Sequence, residues 1–242
     1  YTSPEAGMAD YRLYAGKPVV IKPKSTNFGL GITILKHNYD ETDFKAALQI
    51  AFEHDNTVLI EKFIPGREFR IFIINDEVVG ILHRVPANVT GDGVLNIGQL
   101  IDRKNEDPLR GKGYRTPLEK IRKGREEEMF LKQQGMDFNT VPKEREVVYL
   151  RENSNISTGG DSIDFTDDID DSYKAIAVEA AKALNVKITG LDMMIQDIHA
   201  PATPDNYAII EMNFNPAIHI HCYPFKGKNR HLNHKMIKAL GF

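Results

Sequence analysis

A single cysteine, Cys222, occurs in the 242 residues, so no disulfide can form within the chain. The start of the chain has no basic stretch followed by an apolar core, and so does not read as a secretory signal. Apolar runs are short. Phe69 to Ile74, interrupted by Arg70, falls well below the roughly 20 residues that span a bilayer. Basic charge is not in excess: 31 Lys and Arg against 34 Asp and Glu leave a formal net charge of -3, which speaks against nucleic acid or an anionic membrane surface as partner. These absences predict a soluble, cytoplasmic enzyme acting on small molecules. Internal repeats and low-complexity tracts are also missing. The first residue is Tyr1 rather than methionine, and the stretch through Gly16 is already mid-pattern, which points to a piece of a longer polypeptide.

With 41% hydrophobic residues the chain can bury a sizeable core, as one large domain or two small lobes, and two lobes are expected. Pro18 to Lys22 and Ile32 to Leu35 read as strands of a hairpin joined by a Ser/Thr/Asn/Gly loop, Ser25 to Gly31. Phe44, Ala47, Leu48, Ala51 and Phe52 recur at helical spacing after the capping candidate Asp40. Thr57 to Phe63 returns to strand. Glu68 to Ile74 and Val78 to Val85 flank Asn75-Asp76, a pair that favours an antiparallel hairpin. Gly91 to Val141 is polar, with helical stretches at Ile97 to Lys104 and Leu118 to Gln134 whose charge reads as a solvated face. Glu146 to Leu150 is a strand, Tyr173 to Leu184 an amphipathic helix, and Ile188 to Ile195 and Tyr207 to Met212 two further strands joined by a loop at Ala200 to Asp205. The class is α+β.

Four stretches carry candidate chemistry. KPKSTNFGLGI puts Lys22 at a strand end, followed by residues whose backbone amides can approach an anion. No Gly-Lys-Ser/Thr closes it, so it is not a Walker A loop, and taken alone it reads first as a flexible hairpin tip. EKFIPGREFR suits a nucleoside clamp: backbone groups at Lys62 to Ile64 for the adenine edge, Glu68 for the ribose hydroxyls. A surface strand with solvated charges fits that stretch equally well. Glu211 and Asn213 are two apart on one strand and share a face, so with Asp192 they offer three oxygen ligands. Such a set suits Mg²⁺ bound with substrate phosphates, against the alternative of solvated acids at strand ends. LRENSNISTGGDSID pairs Arg151 with small polar residues and reads as a substrate loop or a polar linker. His219, His221 and Cys222 include common zinc ligands, but no second cluster has zinc-like spacing.

In this order VVIKP, EKFIPGREFR, an aspartate and EMNFNP resemble the ATP-grasp superfamily over nearly the whole chain after Tyr11. KPKSTNFGLGI, RVPANVTGDG, KNEDPLRG, LRENSNISTGGDSID and NFNPAIHIHCYPFKGKNR resemble, within it, the C-terminal part of the bacterial bifunctional glutamate-cysteine ligase/glutathione synthetases. Cyanophycin synthetase is the nearest competitor, and a non-catalytic ATP-binding module is a second alternative. The resemblance implies two α+β lobes with antiparallel sheets gripping ATP, residues 1–66 and 67–242. It implies that Lys22, Ser25, Thr26, Asn27, Gly29 and Gly31 cover the phosphates, that Glu61, Lys62, Phe63 and Ile64 hold adenine, and that Glu68 takes the ribose. Asp192, Glu211 and Asn213 would hold Mg²⁺ or Mn²⁺. Arg70, Asn155, Ser157, Thr158, Gly159 and Asn215 would meet the substrates, γ-glutamylcysteine and glycine. Lys22 and Arg151 would serve catalysis, with a glutamate-cysteine ligase domain upstream in the parent chain. Many D-alanine ligases carry an arginine two residues before the metal aspartate; this chain has Gly190 there, and Arg151 is the candidate for the displaced role.

Overall fold

The computed structural model describes residues 1–26, 30–36, 38–113, 115–151 and 154–242. The chain forms two compact units, Tyr1–Pro65 and Gly66–Phe242. In the first, helices α1 (Pro4–Ala9) and α2 (Tyr11–Tyr14) precede strands β1 (Val19–Pro23) and β2 (Thr33–Leu35), helix α3 (Glu41–Phe52) and strand β3 (Val58–Lys62). The helix α1 begins where Ser3 caps the amide of Ala6 and Pro4 presets the first turn. The sheet is antiparallel throughout, in the order β2-β1-β3. Asp40 starts α3 as expected: its carboxylate accepts from the amides of Thr42 and Asp43, and Asp43 returns the bond. Phe44, Ala47, Leu48 and Ala51 of that helix close over Val19, Ile21 and Val58.

The second unit is built on β4 (Arg67–Ile74), β5 (Glu77–Val85), β6 (Asn88–Thr90), α4 (Ile97–Lys104), β7 (Arg110–Gly111), β8 (Leu118–Glu119), α5 (Arg125–Gln133) and β9 (Val147–Tyr149). A 3₁₀ turn (Ile156–Thr158) follows, then β10 (Asp161–Asp164), α6 (Asp171–Ala183), β11 (Ile188–Ile195), β12 (Tyr207–Asn213), α7 (His219–Cys222) and α8 (Leu232–Ala239). Five strands pair antiparallel in the order β10-β5-β4-β11-β12. Asn75 and Asp76, both left-handed (φ 47° and 67°), make the tight β4-β5 turn. Alternation along β4 and β11 sends Phe69, Ile71, Ile73, Leu191, Met193 and Ile195 into one core with Tyr173, Ala177 and Ala181 of α6. Phe72 and Ile74 point the other way, into a small core with Cys222 and Leu232. Arg70 and Asp192 belong to this second face. A separate core formed by Ala87, Val89, Ile97, Leu100, Ile101, Leu131, Val148 and Leu150 supports residues 86–150.

Two expectations need correction. The helix expected from Leu118 to Gln134 begins only at Arg125, because Gly124 stands at its N-cap and Glu127 reaches back to the Gly124 amide; Leu118–Glu119 is instead a short strand. The end of the loop stretch, Asp161–Asp164, is a strand paired with β5, hidden in the sequence because its polar residues satisfy a local network rather than solvent. Among the described residues no helix is long and apolar enough to cross a membrane.

Candidate active site

The second face of the larger sheet concentrates charge. Asp192 stands directly opposite Arg70 on one side and opposite Glu211 on the other, so the three share a face. A bulge follows at Asp192/Met193, where Ile210 is the extra residue of β12. Arg70 grips Asp192 with both arms of its fork, Nε to Oδ1 and Nη2 to Oδ2 at 2.8 Å. Arg84 of β5 adds Nη2 to Oδ2 at 3.0 Å and also pairs with Glu68. The Ser154 hydroxyl donates to the other Glu68 oxygen at 3.0 Å. Asn213 donates to Glu211 at 3.0 Å.

Electrostatics follow from this packing. Burial pushes the Asp192 carboxyl up, but the hydrogen bond from Arg70 and the charges of Arg84 and Arg70 outweigh burial and hold it below the usual carboxylate range. Burial opposes the Arg70 charge too, yet Asp192, by hydrogen bond and charge, and Glu211, by charge, raise its pKa. Both groups therefore stay ionised. A buried pair of this kind costs desolvation, which the bidentate geometry and the second arginine offset.

The expected site residues are placed as follows. Glu68, Arg70, Asp192, Glu211 and Asn213 meet on the larger sheet. In the smaller unit Lys22 pairs with Glu61 at 2.7 Å, the Ser25 amide donates to Asp55 at 2.7 Å, and the Thr26 hydroxyl donates to Leu30 at 3.0 Å. Gly31 is left-handed, and a Cβ there would lie 2.7 Å from both Pro23 and His54, so only glycine fits. Asn27 and Gly29 lie outside the described residues. Phe63 donates its amide to Pro18 and carries the Lys36 ammonium 5.5 Å from its ring centre. Lys62 is exposed, Ile64 is half-buried, and Asn215 is exposed just beyond β12. Asn155, Ser157, Thr158 and Gly159 form a tight turn in which the Asn155 carbonyl accepts from the Thr158 hydroxyl at 2.9 Å and from the Gly160 amide at 3.2 Å. The guanidinium of Arg151 is committed to Glu126 and Glu127 of α5.

Gly190, the position at which the resemblance leads one to expect an arginine, lies against Arg70 and Pro216. A Cβ at this position would meet Arg70 Cδ at 3.0 Å and Pro216 Cβ at 2.7 Å. The Arg70 side chain therefore passes over Gly190 on its way to Asp192, and fills from β4 the space that an arginine at position 190 would need. Arg84 was not singled out in the sequence; the signal was its place two residues after Leu82, on the face that Arg70 shares. His219, His221 and Cys222 line α7, and His221 and Cys222 are buried. Among the described residues no group of three His, Cys, Asp or Glu side chains is placed to hold a metal ion.

Residues 4–96 match the family model described as D-ala D-ala ligase C-terminus. The chain is 62% identical over 242 residues to the glutathione biosynthesis bifunctional protein GshAB of Desulfotalea psychrophila, covering 100% of this chain and 31% of that protein. It is 55% identical over 240 residues to the protein of the same name from Clostridium perfringens, covering 99% and 31%. A crystal structure of a bifunctional glutathione synthetase from Pasteurella multocida superposes with a TM-score of 0.74 at 47% identity, covering 99% of this chain and 33% of that one. The chain thus spans about a third of the length of the curated relatives it matches. Matched end to end at such identity, and with the same fold, it belongs to the ATP-grasp ligases and is similar to a segment of the proteins named glutathione biosynthesis bifunctional protein.

Proposed function

We propose that this chain carries the ATP-dependent ligase step that joins γ-glutamylcysteine to glycine, releasing ADP and phosphate. The observation that carries the reading is the face formed by Asp192, Glu211, Arg70, Arg84 and Glu68, in a chain 62% identical to a glutathione biosynthesis protein. An oxygen of the peptide's cysteinyl carboxylate attacks the γ-phosphorus of ATP, and the bond to the ADP oxygen breaks. The amine of glycine then attacks the acyl carbon of the acyl phosphate, phosphate leaves, and the amine proton passes to solvent. A free carboxylate is a poor electrophile, which is why phosphorylation must come first.

Arg70 takes the role that Gly190 leaves without a side chain: it and Arg84 bring fixed positive charge to the phosphoryl group in flight. The Arg151 guanidinium is instead engaged by Glu126 and Glu127 of α5. The donor set fits a hard cation, because Mg²⁺ is usually held by one or two carboxylates with substrate phosphates completing the shell. Asp192 and Glu211 supply the carboxylates and Asn213 the amide. Asp192 Oδ2 already accepts from Arg70 and Arg84, while among the described residues Oδ1 accepts from Arg70 alone and retains one lone-pair direction. A bound Mg²⁺ or Mn²⁺ would neutralise phosphate charge there. Lys22 and the Ser25 to Gly31 loop are assigned to the ATP phosphates, Glu61 to Ile64 to adenine, Glu68 to ribose, and the turn at Asn155 to Gly159 to the peptide.

The test is release of ADP and phosphate by the full-length protein with each substrate alone and together. Release that requires both γ-glutamylcysteine and glycine supports the reading. Release with an aspartate and arginine polymer would assign a cyanophycin-type substrate instead, and nucleotide binding without ADP release would make the chain a binding module.

A further inference from the structure

Away from Asp192 the same unit holds a second buried charge cluster, centred on Asp161 at the start of β10. One carboxylate oxygen pairs with Arg110; the other accepts from Lys104 at 2.7 Å and from the Asn88 amide at 3.0 Å. Lys104 also donates to the Asn88 carbonyl at 2.9 Å and side-chain oxygen at 3.1 Å. Arg110, whose side chain is wholly buried, donates as well to the carbonyls of Glu119 at 2.9 Å and Gly159 at 3.0 Å. Phe225 lies under both cations, 5.2 Å from Lys104 and 5.5 Å from Arg110. Asn88, Lys104, Arg110, Asp161 and Phe225 come from RVPANVTGDG, KNEDPLRG, LRENSNISTGGDSID and NFNPAIHIHCYPFKGKNR, four of the stretches on which the resemblance rests, and none of these five residues touches Asp192.

Burying two cations and a carboxylate is costly, and an apolar replacement of similar volume is often as stable. What the charges do that apolar groups would not is place a backbone. Arg110 holds the Gly159 carbonyl, and Asp161 is two residues further on. Between them neither glycine tolerates a side chain: a Cβ at Gly159 would meet Ile121 Cα at 2.8 Å, and one at Gly160 the Val85 carbonyl at 2.8 Å. The turn is therefore clamped at its C-terminal end. Toward its other end Ser154 reaches Glu68, which pairs with Arg84, which pairs with Asp192. We propose that Arg110, Lys104 and Asp161 are positioning residues that hold the Asn155 to Gly159 turn in place for the acid substrate, so that they set that substrate's affinity without touching it. This rests on the ligase reading for its substrate, though not for the clamp itself.

Lys104→Met is the first variant, since its side chain is at the margin of the cluster and Met preserves the stem; Arg110→Lys and Asp161→Asn follow. In substrate-free full-length protein, hydrogen exchange of the 154–161 amides should quicken about tenfold or more, while β4 and β11 stay protected. With substrates, KM for γ-glutamylcysteine should rise about tenfold while KM for ATP stays within about twofold, because a charge-assisted hydrogen bond is lost behind the peptide turn only. Arg110→Lys, which keeps charge but not the fork, should fall between wild type and Asp161→Asn. Unchanged exchange in Lys104→Met and Asp161→Asn overturns the clamp. Faster exchange with both KM values rising together overturns the specific link to the acid substrate. Wild-type protein without γ-glutamylcysteine-dependent ADP release would defeat the ligase reading and leave the exchange result standing for the clamp.

Discussion

Arg70 crosses directly over Gly190 to reach Asp192, so the identity of one residue depends on the reach of another. A methyl at position 190 would press on the Pro216 ring at 2.7 Å, which cannot turn away, and on Arg70 Cδ at 3.0 Å, mid-way along a side chain pinned at its far end. Gly190→Ala is expected to cost about 1–3 kcal/mol of stability. It should also lower phosphate release by displacing Arg70 from Asp192. Denaturation midpoint and turnover measured on the same sample check this, and wild-type values for both would mean the fork is not held as described. His221 offers a second test. It is fully buried, neither ring nitrogen has a hydrogen-bond partner among the described residues, and its ring meets Phe72 edge-on at 5.4 Å. Burial, with the charges of Arg70, His219 and Arg84 against that of Asp164, pushes its pKa down to about 3. Burial and Arg67 push His83 down to about 4. Both stay neutral in the fold where the unfolded chain, with histidines near 6.5, takes up protons. Their contribution is complete above about pH 6.5 and is lost as pH falls toward 4, by about 1.4 kcal/mol per pH unit for each histidine. His221→Met should remove about half of that slope between about pH 6 and 4.5 in urea unfolding. An unchanged slope would place the titration on other groups.

At the level of elements, caps and turns were the parts most legible in the sequence. Asp40 was readable as a cap because a short acid before a helical pattern has few other uses, and its bonds to Thr42 and Asp43 make α3 start where expected. Asp40→Ala should therefore cost about 1 kcal/mol of stability in the first unit. A thermal scan would read this, and no loss would mean that Asp43 or water satisfies those amides alone. Asn75-Asp76 was equally readable, since the two-residue turn demands left-handed backbone and that pair tolerates it. What could not be read were elements defined by distant partners. The strand Asp161–Asp164 has almost no apolar pattern; its residues are buried against Arg110, Lys104, Asn88 and Arg230, each far away in sequence. The Leu118–Glu119 strand looked helical because charged residues on both sides carry good helix propensity, while the parallel pairing with Arg110–Gly111 that overrides it is a tertiary fact. The site was legible to the same degree. A carboxylate and an amide two apart on a strand, Glu211 and Asn213, declare a shared face, but the arginines that pair with Asp192 stand on β4 and β5, while the departure at Gly190 points in the sequence to Arg151.

For the whole molecule, each unit has a core of its own, and the cores differ greatly in size. Among the described residues the first, within Tyr1–Pro65, closes seven buried apolar residues: Val19, Ile21, Phe44, Ala47, Leu48, Ala51 and Val58. The second, Gly66–Phe242, is nearly three times as long and holds, among the described residues, three separate apolar clusters. A domain near 60 residues buries about 60% of its unfolded surface and one of 150 residues about 70%, so the smaller unit has less burial to set against a similar entropy cost per residue. The two should therefore open with different free energies. Amides of β1 and β3 are expected to exchange through an opening at least about 2 kcal/mol less costly than that of β4 and β11, whose residues are buried on both faces. Native-state exchange in rising urea resolves the two openings. A single opening energy for all four strands would mean that the chain unfolds as one cooperative body. Adding Mg-ATP at about 100 times its Kd should then deepen protection in β4, β11 and β12 by up to about 2.7 kcal/mol, because a ligand that binds only the folded state stabilises it by mass action. No change in those strands on adding nucleotide would separate Asp192 and Glu211 from ATP binding, whatever the rest of the molecule does.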